Sequence, residues 1–475
     1  MGKFYVTTAV DYVNDTIHIG HAFQKVIADV LARRYRIKLG KNNVFFLTGT
    51  DEYGQKAEKA AKKAGISPKE FVDKIALFNQ KEQDSLNISY NRFIRTTDFD
   101  HVEAVREIWR RINKSGDIYL GKYTGIYCEG CEAYYTEEDL TNGKCPFHPT
   151  LEIKQITEKN YFFKWSKYGK FLIGYIKSHS EFIIPETRKN EMLEFAKHIK
   201  DIPISRTNFK WGIPVPNNPE QVIYVWFDAL INYITGIGFL EDRQKFEKFW
   251  PADVHILGKD NARWHALLWP AMLKSAGIKL PKTILVNGFL SLNGQKIGKS
   301  IGNIIHPSDW VAKFGADAVR YYLLRYTTAT EDSDVSEEKL KIAYNADLAK
   351  GLGNLVARVL TLAKKNKIKA VKNKGFDANI NKIEKQIEKL IKEFKFNNAL
   401  SALWRLIALG DKYIDEKKPW ALKPGSKEFK EIIGSLLYLI SEIGRLLAPF
   451  LPETSEKISR QLKNRKISIL FPQLK

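Results

Sequence analysis

The order of hydrophobic and polar positions at the start of the chain predicts a strand, a turn and a helix. Residues 3–10 are mostly apolar or β-branched, residues 11–16 are polar, and apolar positions then recur at helical spacing over residues 17–35. Strands that alternate with helices are typical of a parallel, doubly wound α/β sheet, and this is the fold class that we predict. The same alternation returns at residues 44–47, 254–257, 261–274 and 283–286.

Two stretches depart from this alternation. Residues 116–215 contain the cysteines and several aromatic-rich segments, and we interpret them as an insertion between the two halves of the sheet. After about residue 337 the apolar positions keep the helical period throughout, which predicts an all-α C-terminal bundle. The positions that share helix faces there are Leu348, Leu352, Leu355, Val356, Val359, Leu400, Leu403, Leu406 and Ile407.

Composition restricts the class of protein. Of the 475 residues, 44% are hydrophobic and 27% are charged, which is ordinary for a globular protein. No apolar run approaches the ~18 to 20 residues that a membrane-spanning helix needs. The N-terminus lacks the pattern of a signal peptide, so we expect a soluble, cytoplasmic protein.

The net charge of +22 is distributed unevenly along the chain. Residues 341–475 contain 28 basic and 13 acidic residues, a net of +15, which leaves +7 for the first 340. A basic C-terminal third favours a nucleic acid as partner, because neutralising phosphates releases counterions. The alternative is the general lysine richness of the chain, without any polyanion partner.

The three cysteines lie close together and predict a metal site. Cys128 and Cys131 form a CxxC pair, and Cys145 and His148 form a CxxH pair, with thirteen residues between the two pairs. Three thiolates and one imidazole suit a single tetrahedral zinc ion, and four protein ligands make such a site structural. The alternative is a group of unrelated surface cysteines.

A histidine tetrapeptide, His18-Ile-Gly-His21, follows the first predicted strand. Ligands of open parallel sheets bind beyond the carboxyl ends of the strands, and a helix N-terminus there suits phosphate. The two histidines can add hydrogen-bond donors for a triphosphate, and Gly20 permits a close approach to the backbone. The alternative is a chance tetrapeptide in which a histidine only caps the helix.

A glycine-flanked loop with two lysines, Lys296-Ile-Gly-Lys299-Ser300, follows the last predicted strand. It ends like a phosphate-binding P-loop, but that pattern requires glycine where Asn293 stands. We therefore interpret it as a mobile cationic clamp for a departing polyphosphate. Standing alone, the loop would be a solvated surface turn.

Together, the histidine tetrapeptide and the lysine loop resemble those of the class I aminoacyl-tRNA synthetases. Longer stretches resemble the methionyl-tRNA synthetase family, and the resemblance extends over essentially the whole chain. They are TAVDYVNDTIHIGH (8–21), FLTGTDEYG (46–54), WGIPVP (211–216), YVWFDALINY (224–233), and GKD (258–260) followed by His265 and WPA (269–271).

The resemblance implies a methionine–tRNA ligase that uses ATP with Mg²⁺, a structural zinc ion and tRNA(Met) with a CAU anticodon, including the initiator tRNA. The catalytic residues that it implies are His18, Gly20, His21, Lys296, Lys299 and Ser300. The methionine site would contain Val10, Tyr12, Asp51, Trp226, Ala229, Tyr233, Asp260, Trp264, His265 and Trp269. The ATP site would contain His18, His21, Gly258, Lys259, Asp260 and Lys299, and the anticodon site Asn354, Arg358, Pro419 and Trp420.

Spacing alone favours a different interpretation of several of these residues. Trp226, Ala229 and Tyr233 would share one face of a helix, and without the resemblance they would be assigned to the core. Trp420 would likewise pass as a core residue at a helix end. The sequence also departs from the family pattern at a few positions, which are Ala9, Val10, Tyr53, Asn261, Trp264 and Asn287.

The predicted organisation has five segments. Residues 1–115 and 216–295 are the two halves of a Rossmann-like catalytic domain, and residues 116–215 are the insertion with the zinc knuckle. Residues 296–340 carry the lysine loop and a stem-contact region, and residues 341–475 form a helical anticodon-binding domain. We expect a monomer.

Two alternatives stay open at this stage. The chain could activate another amino acid, although an insertion of about 100 residues leaves no room for an editing domain. A cysteinyl enzyme would carry its zinc ion in the synthetic site rather than in the insertion. The chain could also be a tRNA-binding paralogue without catalysis, but such a paralogue is expected to have lost the histidines or lysines.

Overall fold

The computed structural model describes residues 2–128, 130, 133–135, 137–298, 301–364, 368–464 and 467–475. The chain divides into two compact units. The first, which we call the sheet unit, comprises Met1–Ile17, Leu39–Lys81 and Tyr90–Asn287. The second, the helical unit, comprises His18–Lys38, Glu82–Ser89 and Gly288–Lys475.

Short strands and helices alternate through most of the described chain. The strands are β1 (Phe4–Thr8), β2 (Asp11–Tyr12), β3 (Val44–Asp51), β4 (Arg92–Arg95), β5 (Ile118–Cys128), β6 (Ala133–Tyr135), β7 (Lys154–Phe163), β8 (Ile183–Ile184), β9 (Ile202–Pro203), β10 (Ser205–Arg206), β11 (Pro214–Val215), β12 (Asn218–Ile223), β13 (Val254–Gly258), β14 (Ile284–Asn287), β15 (Leu290–Leu292), β16 (Gln295–Lys296) and β17 (Ser333–Val335).

The α-helices are α1 (Ile19–Leu39), α2 (Gln55–Ala64), α3 (Pro68–Ser85), α4 (Phe99–Lys114), α5 (Gly169–Ser178), α6 (Glu186–Ala196), α7 (Val225–Ala229), α8 (Asn232–Thr235), α9 (Arg243–Phe249), α10 (Trp269–Ser275), α11 (Pro307–Phe314), α12 (Ala316–Arg325), α13 (Glu337–Ala343), α14 (Asn354–Lys364), α15 (Lys374–Lys392), α16 (Phe396–Lys417), α17 (Lys427–Leu447) and α18 (Pro452–Asn464). Trp264–Leu268 and Tyr344–Gly353 are π-helical.

The sheet unit is built on a parallel sheet. Within the described residues its strand order is β2-β3-β1-β13-β14-β8, and β4 pairs with β3. β1 and β3 bury every residue, as parallel strands covered on both faces do. The chain builds the sheet outward from β1 through β3 and from β13 through β14, so the switch point lies between β1 and β13. The predicted doubly wound α/β sheet is confirmed.

An antiparallel sheet follows β4 in the chain. β5 pairs with β7 from Ile118↔Phe163 to Tyr127↔Lys154. β6 and β9 extend this sheet on either side. It lies within the residues that the sequence marks as an insertion, and it carries Cys128 at the end of β5.

The helical unit contains α1, a small sheet and the C-terminal helices. The small sheet has the order β16-β15-β17 and contains Lys296. All the apolar positions that were predicted to share helix faces beyond residue 337 are buried, which confirms the helical bundle. Across the described ranges, no helix has the length and apolar character that a membrane crossing requires.

A buried ion pair fixes α1 within the helical unit. Asp29 of α1 lies 2.7 Å from Arg320 of α12, and both side chains are fully buried. Arg320 also donates to the carbonyl of Phe450 at 2.8 Å. Burial alone would raise the pKa of Asp29, but Arg320 and Arg33 hold that pKa below its ordinary value. Removing one partner of such a pair leaves an uncompensated buried charge, which strongly destabilises a protein.

Candidate active site and metal cluster

The first residues of the candidate site lie at the carboxyl ends of the central strands. Asp51 ends β3 and is buried, and its Cα pairs in register with that of Tyr12 on β2. The N–H of Ala9, directly after β1, donates to the carbonyl of Ile256 on β13 at 2.9 Å. Because ligands of doubly wound sheets bind beyond these strand ends, Val10, Tyr12 and Asp51 lie where a substrate is expected.

The backbone after Asp51 is held by groups that the sequence did not reveal. Glu52 is fully buried and accepts from Thr50 Oγ1 at 2.7 Å and from Arg95 Nε at 2.6 Å. The Trp211 indole donates to the Glu52 carbonyl at 2.6 Å. These contacts fix the backbone next to the Asp51 carboxylate.

A tyrosine and a histidine form a closed polar pair in the same unit. Tyr233 Oη lies 2.6 Å from His265 Nε2, and His265 Nδ1 lies 2.9 Å from the carbonyl of Asn261. The carbonyl requires a proton on Nδ1, so the neutral ring accepts the tyrosine proton at Nε2. Burial lowers the pKa of His265 to about 4 and raises that of Tyr233. The pair therefore stays neutral, and its tyrosine O–H and histidine N–H both donate to groups of the protein.

Large aromatic rings surround this pair. The rings of Trp226 and Trp264 stack with centroids 5.1 Å apart, and Trp165 stacks on Trp264 at 6.2 Å. Trp269 is fully buried with its ring centroid 6.2 Å from that of Tyr233. Such a polarisable wall suits a thioether, which packs favourably against aromatic rings.

The local structure of the segments that carry these residues differs from the predicted helices. The segment with Trp226, Ala229 and Tyr233 is two short helices, α7 and α8, instead of one continuous helix. Trp264 and His265 begin a π-helical turn, a feature frequent at functional sites. Ala229, Tyr233, Trp264 and His265 are buried, and Trp226 is half-buried.

The residues predicted to bind ATP lie at the end of β13 and directly after it. Gly258 is the last residue of β13, and Lys259–Asn261 form a 3₁₀ turn. Asp260 is exposed in that turn. Asn261, one of the departures from the family pattern, contributes its main-chain carbonyl to His265, so the identity of its side chain does not enter this contact.

The histidine tetrapeptide forms a compact turn at the start of α1, in the helical unit. The N–H of Gly20 donates to His18 Nδ1 at 3.1 Å, and the N–H of His18 donates to His21 Nδ1 at 3.2 Å. Since each Nδ1 accepts a backbone proton, each neutral ring carries its own proton on Nε2. The ring centroids lie 4.0 Å apart, so the two Nε2–H groups belong to neighbouring rings.

Burial keeps the His21 ring of this turn neutral. Desolvation and the Lys25 ammonium lower the pKa of His21 to about 3. A Cβ on Gly20 would lie 2.9 Å from His18 Cε1, closer than carbon atoms approach. A side chain at position 20 would therefore displace the His18 ring from the place it occupies here.

The structure describes the residues on both sides of positions 299 and 300 of the lysine loop. Lys296 is exposed on β16, and its Cα pairs with that of Ser291 on β15. Lys299 and Ser300 lie outside the described residues. Asn303, which the sequence did not single out, binds the backbone of Lys296 and Gly298.

Three of the four predicted metal ligands converge. Sγ of Cys128, Sγ of Cys145 and a ring nitrogen of His148 lie within 4.8 Å of one another. The fourth residue, Cys131, lies outside the described residues. Donors on a tetrahedral zinc ion lie about 3.5–3.8 Å apart, so a thiol–thiol–imidazole group with this spacing fits a metal ion after small adjustments.

The predicted anticodon residues lie together on the surface of the helical unit. Asn354 is exposed at the start of α14. The Arg358 guanidinium lies 5.7 Å from the centre of the Trp420 ring and 2.7 Å from the Asp415 carboxylate. Trp420, beside the buried Pro419, is 54% exposed, so the alternative that it belongs to a core is wrong.

Comparison with known proteins agrees with this arrangement. The family profile described as tRNA synthetases class I (M) matches residues 4–154 and 149–360. The profile of the anticodon-binding domain of tRNA ligase matches residues 373–474. The parallel sheet, the histidine turn and these matches define a class I aminoacyl-tRNA synthetase.

Similarity to individual proteins identifies the family within this class. A methionine–tRNA ligase of Caldanaerobacter subterraneus subsp. tengcongensis is 43% identical over 97% of this chain and 74% of its own length. That of Clostridium perfringens is 44% identical over 97% and 73%. The Mycobacterium tuberculosis methionyl-tRNA synthetase in complex with methionyl-adenylate superposes with a TM-score of 0.93 at 35% identity, covering 99% of this chain and 100% of that chain. The chain belongs to the methionyl-tRNA synthetase family.

Proposed function

We propose that this chain activates methionine with ATP and transfers the methionyl group to the 3′ end of tRNA(Met), including the initiator tRNA. In the first step a carboxylate oxygen of methionine attacks the α-phosphorus of ATP, and pyrophosphate leaves. In the second step a terminal ribose hydroxyl of the tRNA attacks the carbonyl carbon of methionyl-adenylate, and AMP leaves. No side chain needs to act as a nucleophile, so the residues contribute positioning and electrostatic stabilisation.

The observation that carries this proposal is the neutral pair of Tyr233 and His265 within the tryptophan wall. Because both protons of the pair are used internally, the pocket wall suits an uncharged, polarisable side chain such as a thioether. A charged side chain there would lose its hydration without compensation. Asp51 would receive the ammonium group of the amino acid. Val10, Tyr12, Trp226, Ala229, Trp264 and Trp269 would complete the pocket.

We assign the phosphates to the histidine turn and the lysine loop. The two Nε2–H groups of His18 and His21 would donate to the α-phosphoryl region, and Lys296 and Lys299 would stabilise the departing pyrophosphate. Mg²⁺ would accompany ATP. Gly258, Lys259 and Asp260 would contact the nucleoside, and Ser300 would belong to the lysine loop.

The deciding experiment is ATP–pyrophosphate exchange, measured with each of the twenty amino acids separately on metal-replete protein. We expect exchange with methionine alone. Exchange with a different amino acid would indicate that the altered pocket wall at Trp264 selects that amino acid instead of methionine. If no amino acid supported exchange but the protein still bound tRNA, the chain would be the non-catalytic tRNA-binding paralogue.

We propose further that Cys128, Cys131, Cys145 and His148 hold one Zn²⁺ ion. The donor chemistry and the spacing of the three described ligands support this. Such an ion would stabilise the fold of the insertion and take no part in the reaction.

Replacing Gly130 with alanine is expected to abolish zinc binding. A Cβ at Gly130 would lie 2.3 Å from Cγ of His148, so the imidazole would have to leave its place. Metal analysis of the purified variant should give well below one zinc per chain. The matched control is Gly174→Ala on α5, where a Cβ meets nothing within 4 Å. Full zinc content in Gly130→Ala would contradict the assignment of His148.

The exposed ring of Trp420 and the guanidinium of Arg358 support a site for the CAU anticodon, together with Asn354 and Pro419. Unpaired bases of RNA loops are bound by stacking on aromatic rings and by hydrogen bonds to their edges. The net charge of +15 over residues 341–475 supports an RNA partner for this part of the chain.

Replacing Trp420 with alanine is expected to raise the KM for tRNA by about tenfold to a hundredfold, since stacking contributes about 1–3 kcal/mol per base. Exchange without tRNA should be unchanged. The measurement compares aminoacylation with exchange in the same preparation. The matched control is Phe99→Ala, which also removes an exposed aromatic ring but at the start of α4. An unchanged KM for tRNA in Trp420→Ala would contradict the assignment.

The proposal includes a monomeric enzyme in the cytoplasm, where translation takes place. It also includes the five segments with boundaries after residues 115, 215, 295 and 340. Light scattering that reports a dimer at micromolar concentration would overturn the monomer.

A further inference from the structure

A single carboxamide closes the base of the lysine loop. Asn303 Nδ2 donates to the carbonyl of Lys296 at 3.0 Å, and the N–H of Gly298 donates to Asn303 Oδ1 at 2.9 Å. The N–H groups of Ile301 and Gly302 donate to the Gly298 carbonyl at 3.1 and 3.2 Å. The two flanks of the loop are thereby joined by main-chain and side-chain hydrogen bonds at the same place.

The segment after Asn303 is joined to the histidine turn. The carbonyl of Ile305 accepts the N–H of Ile19 at 2.9 Å. Ile19 stands between His18 and Gly20 in the tetrapeptide. Asn303 is thus two residues from a direct main-chain contact with the turn that carries both histidines, and all of these residues belong to the helical unit.

We propose that Asn303 is a positioning residue for the adenylation reaction, which holds the backbone of Lys296 in a fixed relation to His18 and His21. This inference rests on the proposed function. Its physical basis is preorganisation: a cation stabilises developing charge on a leaving group most when its position is fixed before the reaction. Asn303 touches no reacting atom and acts through the loop.

Asparagine is well suited to this position. Its amide has a donor and an acceptor bonded to the same carbon atom, and both form hydrogen bonds with the backbone of the loop. Aspartate has the same shape but cannot donate to the Lys296 carbonyl, and its charge would repel that oxygen. The aspartate variant therefore separates the hydrogen-bond pattern from simple packing.

The experiment compares Asn303→Ala and Asn303→Asp with Asn345→Ala. Asn345 is a matched control because its side chain makes an equivalent pair of bonds to the backbone of Leu474, at 3.0 and 2.9 Å, in the same unit. We expect both Asn303 variants to lower kcat of methionine-dependent exchange by tenfold or more, with the KM for methionine unchanged. Asn345→Ala should leave both constants within twofold of wild type.

Limited digestion with trypsin gives a readout that does not depend on activity. Lys296 is exposed, so we expect cleavage after Lys296 to be several times faster in Asn303→Ala than in wild type or Asn345→Ala. Exchange by Asn303→Ala within twofold of an active wild type would overturn the inference alone. A wild-type protein without methionine-dependent exchange would overturn the proposed function and this inference with it. Equal loss of kcat in Asn303→Ala and Asn345→Ala would overturn a specific positioning role.

Discussion

Replacing His21 with alanine is expected to lower kcat of methionine-dependent ATP–pyrophosphate exchange by about a hundredfold to a thousandfold, the cost of removing one preorganised donor to developing charge. The His21 ring accepts the His18 N–H at Nδ1, so its remaining proton is fixed on Nε2. Because its pKa is lowered to about 3, the ring stays a neutral donor throughout the pH range of the assay. The KM for methionine should change little, since the proposal assigns His21 to the phosphates and not to the amino acid.

Two companion variants test the geometry of this donor. Glutamine at position 21 places an amide N–H at a reach similar to Nε2, so His21→Gln should recover part of the lost rate. Gly20→Ala keeps both imidazoles but puts a Cβ 2.9 Å from His18 Cε1 and 3.0 Å from Nδ1, so it should lose rate although no donor is removed. Exchange by His21→Ala within fivefold of wild type would contradict the role assigned to the ring.

The class of fold could be predicted from the sequence because strands and helices bury apolar residues with different periods. The ends of the strands were harder to predict from the sequence. β3 was expected to end at residue 47, but it extends to Asp51 and buries Thr48, Thr50 and Asp51. Polar residues at a strand end look like a loop in the sequence, whereas in a parallel sheet they form the edge where ligands bind.

The chemistry of the site could be predicted only in part. The identity of the histidines and lysines follows from motifs, but the proton positions on His18, His21 and His265 depend on which backbone group each Nδ1 meets. The π-helical turn at Trp264–Leu268 has the same apolar pattern as an ordinary helix. The sequence did not single out Asn303, because its role depends on hydrogen bonds to the backbone of Lys296 and Gly298 that only the folded structure shows.

The exposure of individual side chains was also difficult to predict from the sequence. A tryptophan next to proline at a helix end is compatible with a core position, and only the structure places the Trp420 ring on the surface beside Arg358. Conversely, the sequence gives no sign that Glu52 would be fully buried, because its partner Arg95 is more than forty residues away. Contacts between residues distant in sequence are the part of the site that periodicity cannot reveal.

Lowering the pH from 6.5 to 5 is expected to destabilise the sheet unit steeply, because three histidines of that unit are buried in their neutral form. His101, His255 and His265 are at most 2% exposed. Desolvation lowers the pKa of His101 to about 3 and that of His265 to about 4, and it lowers the pKa of His255 well below its ordinary value. In the unfolded chain each histidine binds a proton near pH 6.5.

The sign follows from proton linkage. Between pH 6.5 and about 4 the unfolded state holds more protons than the folded state, so the free energy of unfolding falls as the pH falls. Each histidine contributes a slope that approaches about 1.4 kcal/mol per pH unit, and the three together approach about 4 kcal/mol per pH unit near pH 5. Most carboxylates titrate below this window, so the histidines dominate the slope.

The measurement is the free energy of unfolding in urea at several pH values between 7 and 5, followed by tryptophan fluorescence, since seven of the ten tryptophans lie in the sheet unit. His101→Gln removes one of the three protons and should reduce the slope by about a third, whatever its effect on stability at pH 7. His198→Gln is the matched control, because the side chain of His198 is 76% exposed. A slope in His101→Gln equal to that of wild type would show that protonation of His101 is not coupled to unfolding. Since no motif marks His101, this acid sensitivity is a consequence of burial alone.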